Sequence, residues 1–154
     1  MQVASTVPAA LASLTTLVQA QTATDAIASQ ILVCQGEVGM DAPNDIIQIG
    51  TSIRRNLRPN TLLGSYASGS LEETYDIEVL VSTWSGDPDP TAITNRAFLL
   101  AEYVESAVRT DPSLGTSVRE AHPAGTTGGH AEWTSEPVGR LCELTVTISV
   151  MTLN

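Results

Sequence analysis

The stretch Leu71-Glu72-Glu73-Thr74-Tyr75-Asp76-Ile77-Glu78-Val79-Leu80-Val81-Ser82-Thr83-Trp84 decides the fold. Tyr75, Ile77, Val79 and Val81 recur at odd positions, and the residues between them, Asp76, Glu78, Leu80 and Ser82, are mostly polar. Side chains flip faces at each step along a strand, so this alternation predicts one long strand with one buried and one wet face. Ser85-Gly86-Asp87-Pro88-Asp89-Pro90 ends it, because Pro cannot donate to a ladder and Gly and Asp favour tight turns. Asp87 and Asp89 read there as turn and helix-start residues. A helix over Thr91–Arg109 follows, with Ile93, Ala97, Leu100, Tyr103, Val104, Ala107 and Val108 on one stripe. Asp111-Pro112 stops it.

Arg140–Leu153 repeats the pattern of the first strand. Cys142, Leu144, Val146, Ile148 and Val150 share one face, and Glu143, Thr145, Thr147 and Ser149 the other. Two long amphipathic strands of this kind predict an antiparallel sheet with one covered face. Upstream, Val7–Thr22 reads as a helix with Thr6 as its cap, Pro8 in its first turn and Leu11, Leu14, Leu17 and Val18 on one side. Ile31–Cys34 and Asp45–Ile53 are short strands, separated by a loop rich in Gly, Asp and Pro. Arg54–Ser70 has no sustained period and reads as a long loop, although Leu57, Leu62, Leu63 and Tyr66 are apolar residues that a solvated loop has little need for. Ser117–Ala121 reads as a short strand, Pro123–Gly129 as a flexible loop and Ala131–Ser135 as a further extended piece. The expected fold is a single α+β domain over residues 1–154: two layers, with a mostly antiparallel sheet of four to six strands and two helices packed on one face.

A chain of 154 residues buries enough surface to fold without a disulfide or metal. Aromatic residues make up only 4%, so Val, Ile, Leu and Ala must fill the core. The formal charge is −10, and all seven basic residues are arginine. That acidity disfavours general binding to nucleic-acid phosphates. Cys34 and Cys142 lie far apart in no CxxC pattern and read as small buried hydrophobes. No stretch reaches the roughly 18 apolar residues of a membrane span, and the first residues make a poor signal peptide, so synthesis in the cytoplasm is expected.

No catalytic signature emerges. His122 and His130, with Glu120 and Glu132, match no common zinc spacing and read as exposed loop residues. Gly125-Thr126-Thr127-Gly128-Gly129 lacks the Lys and the following helix of a phosphate loop. Glu72, Glu73, Asp76 and Glu78 are dense, and Asp76 and Glu78 share a strand face. They read as a solvated face or the lining of something that stays negative. Arg54, Arg55 and Arg58 form the one basic cluster, a candidate for docking on an acidic surface together with Leu62, Leu63 and Tyr66. No catalytic, cofactor-binding or metal-binding residues are assigned, and a non-enzymatic protein is expected.

The helix beginning Val7-Pro8-Ala9-Ala10-Leu11, the strand ending in Ile49-Gly50, Glu72–Val79, and Trp84-Ser85-Gly86-Asp87 leading into a helix together resemble the tail terminator proteins of long-tailed bacteriophages. The Asp111–Gly115 turn, the Gly/Thr-rich segment and the terminal strand agree, so the resemblance covers nearly the whole chain. It implies a small α/β virion protein that forms a six-membered ring on the last ring of the tail tube. Such a ring stops tube growth and joins the tail to the neck of the capsid. The implied partners are other copies of itself, the major tail tube protein and a neck or connector protein, with DNA passing through and no membrane or cofactor involved. The implied location is the virion, at the head–tail junction. Glu72, Asp76 and Glu78 are then candidate lumen-facing residues. Alternatives are another head–tail connector ring, a tail tube subunit, or a small acidic enzyme that uses the carboxylate strand.

Overall fold

The computed structural model describes residues 5–39, 43–59, 71–87, 89–133 and 139–153. Its elements are α1 (Val7–Thr22), β1 (Ile31–Gln35), β2 (Asp45–Pro59), β3 (Leu71–Ser85), α2 (Pro90–Thr110), β4 (Glu120–Trp133) and β5 (Gly139–Leu153), with a single 3-10 turn at Ala28–Gln30 before β1. The five strands form one sheet in the order β1-β2-β3-β5-β4. β1 runs parallel to β2, and every other neighbouring pair is antiparallel. Both helices lie on one face, α1 over β1 and β2 and α2 over β3, β5 and β4, and they pack against each other. The α+β architecture and the β3–β5 pairing are those expected from the alternating strands.

Burial follows the alternation. Tyr75, Ile77, Val79 and Val81 are buried, and so are their register partners Val150, Ile148, Val146 and Leu144 on β5. Ile47 and Ile49 of β2 extend this layer beneath α1, which contributes Ala10, Leu14 and Val18. From α2 come Ile93, Ala97, Leu100, Ala101, Val104, Ala107 and Val108. Each fully buried Val, Ile or Leu side chain contributes roughly 1.5–3 kcal/mol, and this layer is mainly aliphatic, with Tyr75 as its aromatic member. Asp89 caps α2 by accepting a bond from the Thr91 N–H at 3.0 Å, and Asp111 ends it.

Three expectations fail. Arg54–Ser70 is not a loop throughout, because β2 continues to Pro59 in register with β3. Its charged residues show no period of their own, but β3 offers a ladder fifteen residues long, and strand preference depends on the neighbour available. Pro123–Gly129 is not a loop either. It lies within β4, which pairs along the outer side of β5, with Pro123 next to a bulge before Gly125. The expected strand at Ser117–Ala121 begins only at Glu120, after a turn in which Leu114, Gly115 and Thr116 have positive φ. Thr6 does stand at the N-cap of α1, but its hydroxyl makes no cap bond there and donates to Glu73.

Two irregularities set which side chains face which way. In β2 the register skips from Ile49 to Ser52, so two residues are looped out and odd positions stay on the covered side. Gly50 takes φ +78° at that bulge, a left-handed conformation that glycine adopts without strain. In β4 the bulge inserts one residue, so covered positions change from odd to even, and His122 and His130 face opposite sides of the sheet.

Candidate functional site

Among the described residues both helices lie on one face of the sheet and the opposite face carries none. Register places Arg54, Asn56 and Arg58 of β2 beside Asp76, Thr74 and Glu72 of β3. Ser149 and Met151 of β5 come next, and then His122 and Glu120 of β4. A shallow groove of about 380 Å³ on this face is bounded by Arg54, Asn56, Thr74, Asp76, Glu120, His122, Ser149 and Met151, with Arg58 and Glu72 outside it. Ser149 Oγ donates to Asp76 Oδ1 at 2.7 Å. The row contains a Ser, a His and an Asp, but in the wrong order for a hydrolytic triad. There the imidazole stands between the hydroxyl and the carboxylate, whereas here Ser149 stands between Asp76 and His122 and its proton points at the carboxylate.

The candidate lumen-facing residues Glu72, Asp76 and Glu78 all lie on this open face and are half-buried. They are not a bare acidic stripe. Arg58 Nε donates to Glu72 at 2.8 Å, and Arg54 is the register partner of Asp76. Glu78 sits between Ser52 and Thr147. Among the candidate interface residues, Arg54 and Arg58 are exposed on the open face, while Arg55 points to the covered side. Leu62, Leu63 and Tyr66 lie outside the described residues. The histidines are strand residues rather than loop residues. His122 joins the groove, whereas His130 meets Thr94 of α2 at 3.2 Å, about 25 Å further along the strand, so the two cannot share an ion. Glu132 pairs with Arg140.

Two buried carboxylate networks under the helices carry the strongest electrostatics. Glu73 is fully buried on the covered side of β3. It accepts from the Thr6 N–H at 2.9 Å, the Thr6 hydroxyl at 2.6 Å and Arg55 Nε at 2.7 Å. Burial alone would raise its pKa, but the bonds from Thr6 and Arg55 overcome that and hold it at about 2. The carboxylate thus sits at the N-terminus of α1, where the helix dipole also favours an anion. Tyr75 hydroxyl contacts Thr6 Oγ1 at 3.0 Å, and burial pushes its pKa up.

At the other end of the sheet, Arg96 of α2 binds Asp25 through both terminal nitrogens, at 2.8 and 3.2 Å, and Asp45 of β2 through Nε at 2.9 Å. Thr83 donates to Asp45 at 2.6 Å and Tyr103 to Asp25 at 2.6 Å. Arg96, aided by Tyr103 and the Ile27 N–H, lowers the Asp25 pKa to about 2 against the effect of burial. These bonds tie α2 to the start of β2 and to the segment after α1. Among the described residues the carboxylates with shifted pKa values, Asp25, Glu73 and Asp111, all move down, opposite to the direction a general acid requires.

Glu73 was legible in principle, since it falls in phase with Tyr75 and Ile77 on the buried side. The Asp25–Arg96–Asp45 network joins residues 51 and 71 positions apart and leaves no local pattern.

No protein-family model and no curated protein matches the sequence. Among solved structures the chain is similar to one described as "Virion of native gene transfer agent (GTA) particle", with a TM-score of 0.34 and 11% identity, covering 92% of this chain and 97% of that one. A likeness of that size carries no argument about function.

Proposed function

We propose that this chain is a structural virion protein that forms a ring on the end of a phage tail tube, ends the growth of the tube and joins the tail to the neck. The supporting observation is the uncovered sheet face. Three strands of fifteen residues and one of fourteen lie side by side, and among the described residues no helix lies over them on this side. Each strand spans roughly 50 Å, enough for the wall of a channel. Its hydroxyls at Thr74, Ser149, Thr147 and Thr145, with carboxylates partly offset by Arg54 and Arg58, give a wettable wall that offers DNA phosphates no dense cationic track. Both helices occupy the other face, away from the channel. The resemblance to tail terminators points the same way, and with it to a hexamer between the major tail tube protein and a neck protein.

Electron microscopy of the purified protein, alone and with tail tubes, with mass measurement in solution, tests this. The expected result is a closed ring with a DNA-wide channel seated on tube ends. A chain that stays monomeric in both conditions overturns the proposal.

A further inference from the structure

Among the described residues the exposed large hydrophobic side chains are Ile27, Leu57, Phe98 and Leu99, and they fall on two separate surfaces. Phe98 and Leu99 stand on the outer side of α2, 53% and 41% exposed. Leu99 lies between Arg96 and Tyr103 at helical spacing, and both of those residues hold Asp25; Ile27, whose N–H donates to Asp25, lines a groove with Ala92, Ile93 and Arg96 toward the start of α2. Glu102, one turn further along α2, gives the ridge an acidic margin. It is exposed, and it shares the single cation Arg109 with Glu105.

Leu57, 45% exposed, belongs to the other surface. It lies on the distal half of β2, beyond the reach of β1, which pairs only with Asp45–Ile49. From Arg54 to Pro59 every residue of this arm is exposed. Strand periodicity places Arg55 and Pro59 on the Leu57 side. Arg55 spends Nε and Nη2 on Glu73, and its Nη1 makes no hydrogen bond among the described residues. The arm is therefore an apolar knob with a basic margin, and α2 presents an apolar ridge with an acidic one.

Knob and ridge complement each other and lie on different surfaces of one chain, the arrangement that builds heterologous contacts and closed rings. We propose that the Leu57 arm of one copy docks on the Phe98–Leu99 ridge of the next, with Arg55 meeting Glu102. This rests on the ring reading above and names its junction. One anchor of this size holds weakly by itself, but ring closure engages both surfaces of every copy at once.

The test uses Leu57→Asp and Phe98→Asp, both at exposed positions, with circular dichroism to check folding. Leu57→Ser and Phe98→Ser carry the same test if an aspartate variant unfolds. Each variant alone should lose ring assembly, with the assembly concentration raised at least ~30-fold. Mixed together at a concentration high enough for a single unclosed junction to form, the two variants should give a one-to-one heterodimer that neither gives alone, because the ridge of the first still accepts the knob of the second. Rings that persist in either variant, or a mixture that stays monomeric, overturn the junction while leaving the ring. A wild-type chain that assembles neither alone nor on tubes removes the ring reading and the junction together.

Discussion

Glu72 and Glu73 are consecutive residues, and each pairs with an arginine of β2, yet they sit on opposite faces of the sheet. Glu72 faces the open side, with its side chain 17% exposed and Arg58 reaching it from solvent at 2.8 Å. Glu73 faces the helices, is completely buried, and meets Arg55 at 2.7 Å. The chemistry is the same and the energetics are not. A solvated pair exchanges water contacts for a single ion contact and contributes about 0–1 kcal/mol. A carboxylate removed from water is costly unless its oxygens are satisfied, and Glu73 recruits Thr6 and the α1 N-terminus as well as Arg55 to achieve that. The covered face therefore uses carboxylates as anchors for the helices, while the open face displays them to whatever lies opposite.

Breaking the anchors on the covered face should have the largest effect. Arg96→Met leaves Asp25 and Asp45 buried without their cation, which should lower unfolding free energy by about 3–5 kcal/mol in denaturant titration. A loss below ~1 kcal/mol would mean that the two carboxylates find other partners. Acid comes next. Glu73 falls from 4.5 to about 2 on folding and Asp25 from 3.8 to about 2. Both folded values are depressed, so the stabilisation is complete above about pH 4.5 and is lost as pH falls toward 2. It is worth roughly 2–4 kcal/mol per group. Melting temperature followed across that window should drop steeply for the wild type and less for Glu73→Gln. Equal slopes would remove Glu73 from this account. The smallest effect belongs to the open face: Arg58→Ala should change stability by no more than about 0.5 kcal/mol, measured the same way. A cost comparable to that of Arg96→Met would erase the contrast between the faces.

The amino-acid pattern alone determined the long strands β3 and β5, both helices and most of the buried stripe of each, because solvent imposes periods of two and 3.6 on any chain with one wet and one dry side. It also placed Glu72, Asp76 and Glu78 correctly on the polar side of β3. Only the tertiary structure decided the rest. The residues from Arg54 to Pro59 and from Pro123 to Gly129 become strands because β3 and β5 present unpaired backbone to them, and a hydrogen-bonding edge leaves no mark in the sequence that fills it. The groove of Arg54, Asp76, Ser149 and His122 exists through the register of four strands, and one inserted residue in β4 turns His130 away from it. Asp25, Asp45 and Arg96 meet for the same reason. Local spacing encodes which way a side chain points, whereas the partner it meets is set by how distant segments pack.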